Sequence, residues 1–327
     1  MRRLQPAGSS REHVARQELG VEASIDGIGR GFGRIDRSAG RPSSLRGARV
    51  AAALVAIAVS CGAALARPLD AVVASGVLRV ALYSDNRPFS GMGKNGPEGI
   101  EVDLARGIAA ALGVAAEVRI VEAAETVDGD FRLNLWKGDL AGTPLADLML
   151  HVPSDRQLGI RNEQIVLTAP YYEERLAVAL RGTADLQALG DLEEQSIAVA
   201  GASPADTALL FADGGRHRAK LRHFRDFDGA ARAFLSGEAA ALAGAKSAIE
   251  AALHAASASP DPVPVSIVDL PSAGLVRARL ALGGAVRGDS RDLGYALSDA
   301  VGAMARDGRL RAIFSRYGVT YVAPPGE

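Results

Sequence analysis

The residue types that could do chemistry are few in this chain and widely spread. His151, His217, His223 and His254 show no metal-ligand spacing with partners. The single cysteine, Cys61, excludes an intramolecular disulfide framework and a thiolate metal cluster. No G-x-S-x-G, H-E-x-x-H or Walker sequence occurs, so the common hydrolase, zincin and nucleotide-loop chemistries have no carrier. The acidic pairs Glu173-Glu174 and Glu193-Glu194 read as solvated faces. The run Gly27-Ile28-Gly29-Arg30-Gly31-Phe32-Gly33 departs from G-x-G-x-x-G, and no strand precedes it. A polar turn, Ser84-Asp85-Asn86-Arg87-Pro88, leads into Phe89 at the end of one strand, and His151 is the polar end of another. Loops at strand ends are where open α/β sheets hold ligands. The expectation from these residues is a chain with no catalytic residue, cofactor or metal.

The elements that must position such a site belong to a chain of 327 residues, 48% hydrophobic and 23% charged, long enough for two domains. A formal net charge of −1 suggests neither nucleic acid nor an anionic membrane as partner. Val50–Ser60 is continuously apolar, preceded by Arg46 and Arg49 and followed by Ala64-Leu65-Ala66. A basic flank, a short apolar core and an A-x-A site read as a secretory signal cleaved near Ala66, giving a periplasmic mature chain. Cys61 offers a second reading, lipidation, although Ala58-Val59-Ser60 lacks the usual leucine. Residues 1–45 are rich in Arg, Gly and Ser and read as an extension without periodicity.

Beyond the signal, strands and helices alternate. Val77–Tyr83, Ala116–Val121, Ala146–His151, Ser196–Ala200, Ala239–Ala243 and Arg279–Val286 read as strands. Glu98–Leu112 reads as a helix, with Leu104, Ile108 and Leu112 on one face and Gly113 as its cap. A further helix begins at Phe131–Trp136, and the chain closes with two helices, the last carrying Leu310, Ile313, Phe314 and Tyr317.

Four segments in order resemble the extracellular solute-binding protein family 3, the amino-acid-type binding components of ABC transporters. They are Leu78-Arg79-Val80 leading to Pro88-Phe89; Gly99-Ile100-Glu101-Val102-Asp103-Leu104-Ala105; Ala146-Asp147-Leu148-Met149 followed by Arg156 and Ala169-Pro170-Tyr171-Tyr172; and Asp307-Gly308-Arg309-Leu310 through Gly318-Val319. The resemblance spans most of residues 76–322. It implies an α/β, two-lobed periplasmic binding protein fold (type II), each lobe a mixed sheet flanked by helices and joined by two hinge strands. Residues 1–66 would be extension and signal, 67–180 plus 275–327 the first lobe, and 181–274 the second, with crossings near Arg175–Leu180 and Leu275–Leu282. Hinge closure is a known repertoire of such binders.

The resemblance also implies the site. Asp85, Asn86 and Phe89 would come from the first turn, with Phe89 stacking on a ligand. His151 would lie beside Arg156, whose planar fork would grip a carboxylate. Gly201 and Ser203 would belong to a turn whose backbone N–H groups and hydroxyl bind an anion. Where the family carries an aspartate for a ligand's ammonium, this chain has Ala245, followed by Lys246. A cation buried there without counter-charge would be costly. The expected ligand is therefore a carboxylate or a neutral polar molecule, captured by a monomer for an ABC permease. Leu135-Trp136-Lys137-Gly138 and the segment Asp147–Arg156 resemble a subgroup linked to quinoprotein (PQQ) methanol-type dehydrogenases. That implies an alternative role as accessory to a periplasmic quinoprotein dehydrogenase and its cytochrome c in methanol oxidation. A cyclohexadienyl-dehydratase-like enzyme is a second alternative.

Overall fold

The computed structural model describes residues 67–182, 192, 194–257, 264–272 and 276–325. The signal segment, Cys61, the extension, Glu193, Leu275 and most of the Pro260–Pro264 stretch lie outside the described residues. In chain order the elements are α1 (Leu69–Ser75), β1 (Val77–Tyr83), β2 (Gly91–Gly93), β3 (Gly96–Glu98), α2 (Ile100–Ala111), β4 (Ala115–Val121) and α3 (Val127–Phe131), which runs into a π-helical turn (Arg132–Trp136). Then come β5 (Leu148–Pro153), α4 (Arg156–Arg161), β6 (Ile165–Arg181), β7 (Ile197–Ala200), α5 (Pro204–Phe211), β8 (Leu221–Phe224) and α6 (Phe227–Leu235). The chain ends with β9 (Ala241–Ala245), α7 (Lys246–Ala256), β10 (Val265–Asp269), β11 (Arg279–Arg287), α8 (Arg291–Arg306) and α9 (Arg309–Arg316). Among the described residues no helix is long and apolar enough to cross a membrane.

The strands are hydrogen-bonded in the order β4-β1-β5-β11-β6-β9-β7-β8, with β10 also paired to β6. The 17-residue strand β6 is the connector. Its first part pairs antiparallel with β11, Ile165 opposite Arg287 through Arg175 opposite Arg279. Its last part pairs with β9, Leu176 opposite Ala245, and with β10, Ala177 opposite Asp269. The strand path is thus continuous through one shared strand, which changes partners at Arg175–Leu176, within the crossing expected near Arg175–Leu180. The strand reads IVLTAPYYEERLAVALR, and its apolar residues before Tyr172 and after Arg175 serve different neighbours.

The apolar clusters divide at the same place. One pair of clusters is built from residues on either side of β1, β5, β11 and the start of β6, and includes Leu310, Ile313 and Phe314 of α9. The other pair is built around β7, β9 and the end of β6. Gly283 allows the crowding at the junction. A Cβ there would lie 2.9 Å from Thr168 O and 2.7 Å from Ser154 Oγ, so a side chain would push the strands apart.

Several element boundaries differ from the sequence reading, the strand expected over Ala239–Ala243 running instead over Ala241–Ala245, and two of the differences have local reasons. The strand expected from Ala146 begins at Leu148, because the Asp147 carboxylate is held by the Arg67 fork at 3.0 and 2.5 Å and by the Arg79 N–H at 2.8 Å. The helix expected from Phe131 begins earlier, at Val127, where Thr126 Oγ1 caps it by accepting the Gly129 N–H at 3.2 Å.

Candidate binding site

Of the residues that the sequence reading assigned to one site, the structure brings Phe89 and His151 into contact, their ring centroids 4.8 Å apart. Asp85 is exposed, with φ 46°. The Asn86 backbone joins the turn, its N–H donating to Ser90 O at 3.1 Å, while its side-chain Nδ2 is buried without a partner. Phe89 is 3% exposed, and its ring lies among His151 at 4.8 Å, Tyr172 at 5.8 Å and Phe314 at 6.4 Å between centroids. It is therefore a core residue and does not offer a face to a ligand. Arg156 is exposed at the first position of α4, and no hydrogen bond or ion pair engages it among the described residues.

The turn at Gly201–Ser203 is closed from within. Gly201 N–H donates to Phe224 O at 2.9 Å, Ala202 N–H to Asp206 Oδ2 at 2.9 Å, and Ser203 N–H to Ala200 O at 3.3 Å. Ser203 Oγ accepts the Asp206 N–H at 3.2 Å as the cap of α5. The anion expected in this turn is the chain's own: Asp206 is 5% exposed, and its other oxygen lies 2.9 Å from His223 Nε2. The spacing Ser203-x-x-Asp206 ahead of an apolar helix is the sequence signal that goes with this arrangement.

A buried polar cluster lies elsewhere, where α2, β5, β6 and α7 meet. Gly99 starts it. Its φ is 131°, and a Cβ would sit 2.2 Å from Phe89 O, so only glycine lets the chain turn there into α2. The Glu101 N–H then donates to Phe89 O at 2.9 Å, which turns the Glu101 side chain inward. Glu101 is fully buried; its Oε1 accepts from Tyr171 Oη and lies 2.7 Å from His151 Nδ1, and its Oε2 has no partner. His151 keeps 23% of its side chain exposed and has φ 60°, a left-handed conformation uncommon for this residue type.

From β6, Glu174 meets the first turn of α7. Ser247 Oγ donates to Glu174 Oε2, and the Ser247 N–H donates to Oε1 at 3.3 Å. Glu173 is only 12% exposed and pairs with Arg175 Nε at 2.8 Å. The Glu173-Glu174 pair is thus not a solvated face, because β6 is covered on both sides where the two halves join. Glu194, by contrast, is 87% exposed and pairs with Lys220 at 3.0 Å.

The electrostatics of the cluster follow from burial and from carboxylate charge. Burial opposes a charge on His151, but the field and hydrogen bond of Glu101, aided by Glu174, outweigh it and raise the imidazole above its ordinary range. Burial pushes the Glu174 carboxyl up, against the hydrogen bonds from Ser247 and Arg175. Burial, then the Glu101 charge, holds the Tyr171 phenol well above its ordinary range. Among the described residues, no group of three or more His, Cys, Asp or Glu side chains is placed to hold a metal ion.

Sequence reasoning quoted Glu101 and Tyr171 only as parts of motifs, read Glu174 as part of a solvated face and left Ser247 unassigned. A signal was present for the two glutamates. Glu101 shares a helical face with Leu104, Ala105 and Ile108. Glu174 alternates in phase with Tyr172, Leu176 and Val178, which are buried.

The described residues also enclose a cavity of about 270 Å³, whose lining includes none of Glu101, His151, Tyr171, Glu174 and Ser247. Arg87, Gly99 and Tyr317 line it from one side, and Phe227, Asp228 and Ala248 from the other. Its walls thus come from both halves of the strand path. Tyr317 is fixed by donating to Asp103 Oδ2 at 3.0 Å and accepting the Gly99 N–H at 3.3 Å.

No protein-family model matches the chain, and no curated protein matches it. Solved structures do. An ancestral cationic amino acid solute-binding protein superposes with a TM-score of 0.59 at 23% identity, covering 76% of this chain and 99% of that one. A solute receptor for L-cysteine from Neisseria gonorrhoeae superposes with a TM-score of 0.50 at 21% identity, covering 77% and 93%. The described chain has the mixed α/β fold of the periplasmic solute-binding proteins of the amino-acid-binding type.

Proposed function

We propose that this protein is an exported solute-binding protein that captures a small polar molecule between two lobes and presents it to an ABC permease. The lobes are residues 67–180 with 275–327, and 181–274, hinged where β6 changes partners. The observation that carries the reading is the cavity of about 270 Å³ walled by residues of both halves, in a fold shared with solute receptors. Ligands of this fold class are held by closure of one half on the other. Binding, not turnover, is the activity.

Isothermal titration calorimetry of the mature chain against amines, amino acids, carboxylates and neutral polar solutes tests this. Saturable one-to-one binding is the expected outcome. Turnover of a prephenate-like acid would instead establish the dehydratase alternative. An absence of solute binding, together with co-purification of a quinoprotein dehydrogenase, would establish the accessory role.

A further inference from the structure

The two walls of the cavity differ in chemistry. On the side of α6 and α7 the wall is apolar. Ala248, Ala251, Ala252 and Ala255 fall at i, i+3, i+4 and i+7 of α7, so their methyl groups share one helical face, and all four line the cavity. Alanine at these positions leaves the space that a larger side chain would fill. The Phe227 ring lines the same wall. A Cβ on Gly244 of β9 would come within 2.6 Å of Phe227 Cε2, so the glycine makes room for the ring. The volume, about 270 Å³, is well above the roughly 150 Å³ of a dry apolar cavity that holds one benzene molecule. There is room for one aromatic ring with a short side chain.

The polar side chains of the facing wall are satisfied within the protein. Arg87 donates through Nη1 to Glu98 Oε1 at 2.9 Å and through Nη2 to Met92 O at 3.0 Å. Tyr317 Oη donates to Asp103 and accepts the Gly99 N–H. Asp228, in the first turn of α6 beside Phe227, differs from them. It is exposed at the edge of the cavity, and its carboxylate makes no hydrogen bond or ion pair among the described residues, not even with Arg232 one turn further on. Asp226 caps the same helix, its Oδ1 accepting the Gly229 N–H at 2.8 Å. Two carboxylates thus occupy this helix start, where an anion would meet like charge.

We infer that the cavity binds a monoamine whose apolar body, about the size of an aromatic ring, lies against the alanine face and Phe227 while its ammonium donates to the Asp228 carboxylate. The inference rests on the solute-binding reading above and names the class of solute, which differs from the carboxylate or neutral molecule expected from Ala245. Burial of the body supplies most of the affinity, because an ion pair at an exposed edge contributes little and acts chiefly on selectivity.

The test is calorimetry on the protein at neutral pH with four probes: 2-phenylethylamine, ethylamine, 2-phenylethanol and 3-phenylpropionate. 2-Phenylethylamine is expected to bind most tightly, ethylamine at least about tenfold more weakly for want of the ring, and 3-phenylpropionate not to bind. 2-Phenylethanol is expected to bind about fivefold more weakly than the amine. Asp228→Asn, at an exposed position, is expected to weaken the amine about fivefold and to leave 2-phenylethanol unchanged. Ala248→Leu, which narrows the cavity, is expected to weaken both by at least about tenfold, and its cooperative thermal unfolding verifies that it remains folded. Binding of 3-phenylpropionate or of a neutral solute without binding of 2-phenylethylamine overturns the inference and leaves the solute-binding reading standing. So does ethylamine or 2-phenylethanol binding as tightly as 2-phenylethylamine, or unchanged 2-phenylethylamine affinity in Asp228→Asn or in folded Ala248→Leu. No binding of any solute class overturns both.

Discussion

His151 holds a left-handed backbone conformation that costs a non-glycine residue on the order of 1–3 kcal/mol, and such strain persists only where the surroundings over-determine it. Here the surroundings are the Glu101 carboxylate at 2.7 Å and the rings of Phe89 and Tyr83, with Tyr171 and Glu174 completing the polar environment. This fixes a pH dependence. The imidazole is raised from an ordinary 6.5 in the folded state. Its stabilising contribution is then fully present below the unfolded value and is lost as pH rises through the folded one. The raised Glu174 carboxyl acts in the same direction, starting from an ordinary 4.5. The thermal midpoint of the unliganded protein should therefore fall between about pH 6 and about pH 8, and His151→Gln should flatten that slope. Calorimetric midpoints across the range measure it; an unchanged slope in the variant would assign the dependence elsewhere.

At the scale of elements, the start of α2 decides whether the cluster exists. Gly99 combines φ 131° with backbone of Phe89 where a Cβ would stand. Gly99→Ala should cost about 2 kcal/mol or more in denaturant unfolding, with a matching loss of any solute binding, because Gly99 also lines the cavity. A neutral result would show that the Phe89 loop yields freely. The strand β6 is the other deciding element. It brings Tyr171 beneath Glu101 and Glu174 to the start of α7 within one run of chain, so the cluster is tied to the place where the two halves join. The amphipathic periods of α2 and α9 were legible because the faces they bury repeat every three to four residues.

At the scale of the whole molecule, the C-terminal helix closes the first half rather than hanging from it. Phe314 is fully buried, stacked on Tyr172 at 4.6 Å and packed against Phe89 and Tyr321. Beyond it the chain returns to both halves: the Glu173 N–H donates to Val322 O at 3.0 Å, and the Thr320 N–H donates to Glu250 Oε2 of α7 at 2.8 Å. Phe314→Ala should cost about 3–5 kcal/mol in equilibrium unfolding, the range for emptying a buried aromatic site. A loss under about 1 kcal/mol would show that the last helix docks without supporting the core.

By itself the sequence determined the alternation of strands and helices, the boundaries of β1 and the face of α2, because hydrophobic period and cap residues are local properties. It also carried the family-like order of segments that the solute-binding fold matches. Only the tertiary structure decided the site. Phe89 became core because Tyr172 and Phe314, distant in sequence, close over it. The turn at Gly201–Ser203 lost its free N–H groups because Asp206 and Phe224 accept from them. The start of α7 received a carboxyl from Glu174, 71 positions before Ala245 in the chain but brought alongside by the pairing of β6 with β9. Such pairing acts through space, and sequence spacing records it only where the partners share one element.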